Sequence, residues 1–235
     1  MESVGPALQH ILGALGEVSA KPGEAIGRLR LSVPRAAVPF VIDPVVPTFR
    51  ERHPRVEVDV VIDERFVDIV AEGYDAGVRL TEAIERDMVQ VRLTEAFRFV
   101  VVGSPGYLAR HGTPERPEDL VRHECIGLRM QTTGTLYAWE LERGRRAWRV
   151  PMRGGLTTND HLVSLSLAAE GAGLAYAFEP AAMERLRTGQ LRVVLEPYAA
   201  SVPGYFIYFP SRAQRSGPLR LFIEAARELA LRQVG

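Results

Sequence analysis

Hydrophobic and polar positions alternate strictly over Gly27–Val33 (GRLRLSV), which predicts a first strand closed by Pro34. Val56–Ile62 (VEVDVVI) alternates and then merges into a β-branched run of strand length. From Asp63 the period changes. Phe66, Val67, Ile69 and Val70 share one helical face, Asp63 is placed to cap it, and Gly73 suits a left-handed C′ position. AGVRL then resumes as a strand, so Val56–Leu80 reads as strand-helix-strand, a crossover that requires a parallel sheet. Between the first two strands, Phe40, Val41, Val45, Val46 and Phe49 predict a helix that Pro44 and Pro47 interrupt or kink.

The pattern then repeats. Val89–Leu93 and FRFVVV (97–102) read as strands, the second closed by Gly103-Ser104-Pro105-Gly106. Tyr107–His111 is a short helix, Pro117–Leu120 a further helical turn and Cys125–Met130 a strand. Trp139–Leu141 and Trp148–Pro151 flank the charged turn Arg143–Arg146 as a hairpin. Thr157-Thr158-Asn159-Asp160 caps a helix from His161 to Glu170, stopped by Gly171 and Gly173. Leu174–Phe178 is a buried strand, and Pro180 opens a helix that Gly189 ends. Leu191–Leu195 and Tyr205–Phe209 are the last strands, and the amphipathic Leu219–Leu231 is the closing helix. Two blocks of alternating strand and helix give two α/β lobes. Ahead of them, Leu8, Ile11, Leu12, Leu15 and Val18 form a narrow stripe on a helix over 2–20. It is either an interhelical seam or a helix packed on its own domain. Lys21-Pro22-Gly23-Glu24 reads as a linker.

The 235 residues are 46% hydrophobic and 25% charged, enough for a full core in one large domain or two small ones. Basic and acidic residues balance at 29 each, so the chain has no electrostatic reason of its own to bind DNA. One cysteine, Cys125, excludes an internal disulfide framework and suits a reducing compartment. No signal-peptide pattern and no apolar run of ~20 residues is present, which predicts a cytoplasmic protein with no membrane partner. Nucleophile-elbow, Walker and dinucleotide-binding glycine motifs are missing, and the five histidines lack metal-ligand spacing. Neither a metal nor a cofactor is expected. Cys125, with His123 two residues away on the same strand face, reads as a small buried hydrophobe or, alternatively, as a reactive thiol.

What recurs is polar chemistry at strand-to-helix turns: Arg35, Asp63–Phe66, Arg79, Ser104, Arg129 and Thr158–Asp160. Helix N-termini carry spare N–H groups and cradle anions, and α/β sheets hold ligands beyond the carboxyl ends of their strands. Two such lobes would hold a small acidic or polar molecule with no catalyst.

Five segments, GRLRLSVP, FRERHPRVEVDVVI, VDIVAEGYDAGVRL, VVGSPGYLARHGTPERPEDL and AAEGAGLAYAFEP, resemble the effector-binding domain of LysR-type transcriptional regulators. They run in order over residues 27–230. The resemblance implies a two-lobed, periplasmic-binding-protein-like (type 2) α/β fold, two Rossmann-like lobes joined by two crossover strands. Lobe I would take residues 25–98 and 205–235, and lobe II residues 99–204, with crossings near Arg98 and Gly204. Residues 1–24 would be a remnant of the family's linker helix, which pairs between protomers.

The implied effector pocket begins with Arg35 and Ala36, where the family often has Ser or Thr, followed by Arg65, Phe66 and Arg79. Ser104, Pro105, Leu128, Arg129, Asn159, Asp160 and Phe178 complete it. The implied dimer interface uses Val41, Val45 and Phe49 on one helix and Leu162, Leu165 and Ala169 on another. The partners implied are a small-molecule effector, an organic anion or an aromatic metabolite, and a second copy of the chain, or a tetramer at full length. DNA would be met only through a winged helix-turn-helix outside these residues. The expected function is ligand-sensing control of transcription, without catalysis. A solute-binding protein of a transport system is the alternative on the same scaffold.

Overall fold

The alternation of Gly27–Val33 becomes strand β1, and the β-branched Val56–Ile62 becomes β2, parallel to it with Leu31 opposite Val60. On the other side of β1 lies β3 (Ala76–Leu80), also parallel, with Leu31 opposite Ala76. The computed structural model describes residues 25–80, 88–151, 154–211, 213 and 216–232. The helix and linker expected over 2–24 lie outside the described residues. The chain divides into two compact units, Met1–Glu95 with Gly204–Gly235, and Ala96–Pro203. The second is an insertion in the first, so the backbone passes between them twice.

The first unit also contains β4 (Met88–Arg92) and, after the insertion, β13 (Tyr205–Pro210). β13 runs antiparallel between β3 and β4, which gives the order β2-β1-β3-β13-β4. Gly77 of β3 stands opposite Tyr208 of β13, and a Cβ there would lie 2.4 Å from the tyrosine ring. The small residue in GYDAGVR is a packing requirement. A tight turn (Arg35–Ala37) and a wider π-type turn (Val38–Ile42) lead into helix α1 (Asp43–Arg52), whose interior holds Pro47. The wide turn accommodates Pro39 and Pro44, which have no N–H for a regular ladder. Phe49 of α1 meets Phe222 of α5 (Gly217–Arg232) edge-on at 5.5 Å, and both are fully buried with Leu29 and Leu31. Burying one such ring contributes about 2 kcal/mol.

Two expectations are corrected here. Val41, Val45 and Phe49 are buried against their own unit and are not available to a partner. The apolar stripe of an amphipathic helix turns to the nearest core first. Residues 63–75 form no helix. Asp63 accepts from the Arg65 N–H at 2.8 Å, and Asp68 accepts from the N–H groups of Val70 and Ala71 at 3.0 Å. Asp75 accepts from the Arg30 N–H at 2.7 Å. Aspartates bonding the backbone in this way compete with the helical ladder, and only a single turn forms before Gly73 reverses the chain at φ +70°. Ile69 alone of the predicted apolar face is fully buried, beside Tyr74 and Tyr208.

The second unit is built on β5 (Phe97–Gly103), flanked by antiparallel β10 (Ala175–Phe178) and β11 (Arg192–Val194). β12 (Ala200–Val202) pairs with the first half of β5, Ala200 opposite Phe99. Short β6 (Gly127–Leu128) and β9 (Thr157–Thr158) are parallel, and a parallel bridge from Cys125 to Leu174 attaches them beside β10. The resulting sequence β9-β6-β10-β5-β11 repeats the first unit's order, with the strand after the crossing inserted antiparallel next to the edge. Both faces of β5 are covered, which is why FRFVVV is apolar without alternation. Val100 and Val102 meet α3 (His161–Ala169) and α4 (Glu179–Arg187). Val101 meets Trp139, Leu141 and Tyr176 under the hairpin of β7 (Trp139–Arg143) and β8 (Arg146–Val150). Leu165, also expected at a dimer face, is fully buried in the first of these clusters, while Leu162 and Ala169 are half-buried.

Gly204, at the second passage, has φ +93°, and a Cβ would sit 2.4 Å from the Glu95 carbonyl oxygen. Among the described residues no helix is long and apolar enough to cross a membrane.

Candidate functional site

Parallel strands end at one edge of each sheet, and that edge is where α/β proteins keep ligands. In the first unit the ends of β1, β2 and β3 bring together Arg35, Ala36, Arg65, Phe66 and Arg79. The Arg35 N–H donates to Glu64 Oε1 at 2.8 Å, which ties the turn after β1 to the loop after β2. Arg65 is exposed and holds Asp63, Nη2 to Oδ2 at 2.6 Å, which keeps the Asp63 carboxyl below the usual carboxylate range. Phe66 is 47% exposed.

Arg79 behaves otherwise than its expected role as an effector grip. It is 4% exposed, and its guanidinium is spent on the protein itself. Nη1 donates to the carbonyls of Ser32 at 3.3 Å and Val78 at 2.6 Å. Nη2 donates to Ser32 Oγ at 3.2 Å and to the carbonyls of Asp63 at 3.0 Å and Arg65 at 2.7 Å. Nε is buried without a partner. Burial lowers its pKa, yet an arginine remains a cation. It fixes the three strand ends and lends the edge positive potential.

In the second unit Leu128 of β6 pairs with Thr158 of β9, and the Arg129 N–H donates to the Thr158 carbonyl at 2.7 Å. Asn159 and Asp160 follow directly, and Phe178 ends β10. Arg129 and Asn159 are exposed. Phe178 is buried, 5.7 Å from Phe97 and 6.3 Å from His161. These five predicted residues share one edge. Ser104 and Pro105 do not. β5 is antiparallel, so its carboxyl end lies at the opposite edge, about 16 Å along the strand from Phe99 and its neighbour Phe178. There Ser104 caps α2 (Pro105–His111) by accepting from the Tyr107 N–H at 3.3 Å.

The expected anion cradles are also occupied by the chain itself. Asp160 Oδ1 accepts from Leu162 and Val163 N–H at 2.7 and 3.2 Å at the start of α3. Glu64 and Ser104 do the same at the turns after β1 and β5. Residues that sequence reasoning passed over are Ser32 and His161. Only the shared edge, which follows from strand direction, would have singled them out.

Cys125 is no nucleophile. Its thiol points to the Leu120 carbonyl at 3.7 Å, and burial pushes it up to about 12. His123 is engaged elsewhere, Nδ1 at 3.2 Å from the Tyr107 hydroxyl. Iodoacetamide at neutral pH is therefore expected to leave Cys125 unmodified in the folded chain and to alkylate it only after denaturation. Rapid native labelling in a mass-spectrometric time course would contradict this burial.

Two units of identical strand order, joined by a chain that passes between them twice, define a periplasmic-binding-protein-like sensory fold of type 2. Residues 22–231 match the LysR substrate binding domain, and the chain belongs to the LysR family of transcriptional regulators. It is 32% identical over 221 residues to the HTH-type transcriptional regulator PgrR of Escherichia coli K12, covering 94% of this chain and 74% of that protein. It is also 32% identical over 222 residues to the HTH-type transcriptional regulator PtxR of Pseudomonas aeruginosa, covering 94% and 70%. In structure it is similar to CrgA, a LysR-type regulator from Neisseria meningitidis, with TM-score 0.76 at 24% identity over 95% of this chain and 75% of that one. The Vibrio cholerae virulence activator AphB matches with TM-score 0.77 at 20% identity, over 97% and 77%. These two likenesses show the fold. The family match makes the chain the effector-sensing domain of a transcriptional regulator. A transport solute-binding protein, the alternative on this scaffold, is not favoured by relatives named as regulators.

Proposed function

We propose that the carboxyl edge of each unit's sheet presents side chains that bind a small polar effector, and that the effector controls how the attached DNA-binding domains engage a promoter. In the first unit Arg35, Ala36, Arg65 and Phe66 would meet it, with Arg79 holding the strand ends in place. In the second, Leu128, Arg129, Asn159 and Asp160 would, with Phe178 behind them. The observation that supports this most is the repeated strand order, which aims exposed polar side chains from both units at the ligand-binding type of edge. An effector acts here only through its different affinity for two arrangements of the protein. The working species is a homodimer in the cytoplasm, where its promoter is. Its interface uses outward side chains such as Val163, which is exposed on α3, rather than the buried stripes.

The test is thermal denaturation against organic acids, amides and aromatic metabolites, since a ligand of the folded state raises the transition temperature. Asn159→Ala and Arg129→Ala alter exposed side chains and should fold normally. Each is expected to weaken a hit about tenfold, the worth of one lost hydrogen bond. Hits that bind both variants with unchanged affinity would move the site away from this edge.

A further inference from the structure

At the start of α3 the structure carries a buried polar atom that nothing in the fold satisfies. His161 Nδ1 has no exposed surface and no hydrogen-bond partner. Such an atom costs stability unless a ligand or water completes it, and native proteins keep few of them away from working sites. The residue as a whole is half-buried, and meeting a ligand takes a turn about its Cβ–Cγ bond that carries Nδ1 outward. Its surroundings are specific in charge. Asp160, the preceding residue, places a carboxylate beside it and already accepts from the Leu162 and Val163 N–H groups. Phe178 lies edge-on at 6.3 Å and 82°. An anion entering here meets the Asp160 carboxylate and no spare helix N–H on the first two residues after the histidine. A neutral group with an N–H or O–H to give meets acceptors.

We propose that His161 is a specificity-determining residue of the effector site, where Nδ1 accepts a hydrogen bond from a neutral donor group of the effector, an amide or hydroxyl, and carboxylates are turned away. This rests on the effector reading above and narrows it. Burial keeps the imidazole neutral near pH 7, in keeping with an acceptor rather than an ion-pairing role.

Benzamide and benzoate are nearly isosteric and differ in the group that matters. With the 235-residue chain, His161 ring-nitrogen resonances are followed by NMR as each probe is added. Benzamide is expected to shift them, and benzoate to bind at least about tenfold more weakly. His161→Phe should reduce benzamide affinity about tenfold. His161→Asn, which keeps a polar atom close to the Nδ1 position, should retain most of it. Three results would overturn the proposal: benzoate shifting His161 as strongly as benzamide, unchanged benzamide affinity in His161→Phe, or an Nδ1 signal that no probe perturbs. If benzamide shifts Asn159 and Arg129 but not His161, this assignment fails while the effector reading stands.

Discussion

Replacing Arg79 with methionine is expected to lower the stability of the first unit by about 3 kcal/mol, well beyond any loss of effector affinity. Methionine fills much of the same volume, so the change isolates the guanidinium. Five acceptors lose their donor at once, and the carbonyls of Asp63 and Arg65 lie in a loop with no sheet ladder to take them up. Part of that cost is returned, because a buried cation no longer has to be kept out of water. Lysine in the same place cannot serve as a substitute, since one ammonium group has three donors and no fork. The measurement is the urea midpoint of the single variant against the parent. A midpoint within error of the parent would mean that the loop satisfies its own backbone and that Arg79 is available to a ligand after all.

The second large effect is acid sensitivity through His161. Burial pushes its pKa down to about 4, against about 6.5 in an unfolded chain. The folded state therefore declines a proton that the unfolded state accepts. Stability is fully present above about pH 6.5 and falls as pH drops toward 4, by about 3 kcal/mol over the whole window. Asp63, held low by Arg65, loses its own contribution at still lower pH, so a comparison within one protein is not enough. The discriminating quantity is the change in midpoint between about pH 7 and about pH 4.5, with and without His161→Gln. The glutamine variant should show a markedly shallower fall. Parallel falls would place the acid sensitivity elsewhere.

Much of the fold was legible in the residues. Strict alternation marks β1, the uninterrupted FRFVVV marks a strand buried on both faces, and Thr-Thr-Asn-Asp marks the cap of α3. Ala200–Val202 was not, since three residues carry no period. The stretch 63–75 misled because apolar spacing was weighed without the backbone-bonding appetite of Asp63, Asp68 and Asp75. At the site, chemistry was readable and direction was not. Ser104 and Asn159 look alike as polar turns after a strand, but β5 runs against its neighbours, so the first is delivered to the wrong edge. Helix faces posed the same difficulty. Periodicity finds the apolar stripe of α1 and cannot tell an own core from a partner's, and Val41, Val45 and Phe49 went to the core.

The antiparallel strand β13 sits between β3 and β4, although the whole inserted unit separates it from them in the chain. On the ribosome, the first unit's β1, β2 and β3 are therefore made early and can pair with one another, whereas β4 cannot join them until β13 arrives. The inserted unit, with all its strands contiguous, is complete before β13 emerges. Closure then joins residues more than a hundred positions apart, Ile207 to Val78 and Val91, the kind of distant pairing that slows folding. A nascent chain halted before Tyr205 would expose two unpaired inner edges, and it is in that interval that this protein depends most on being kept from its neighbours.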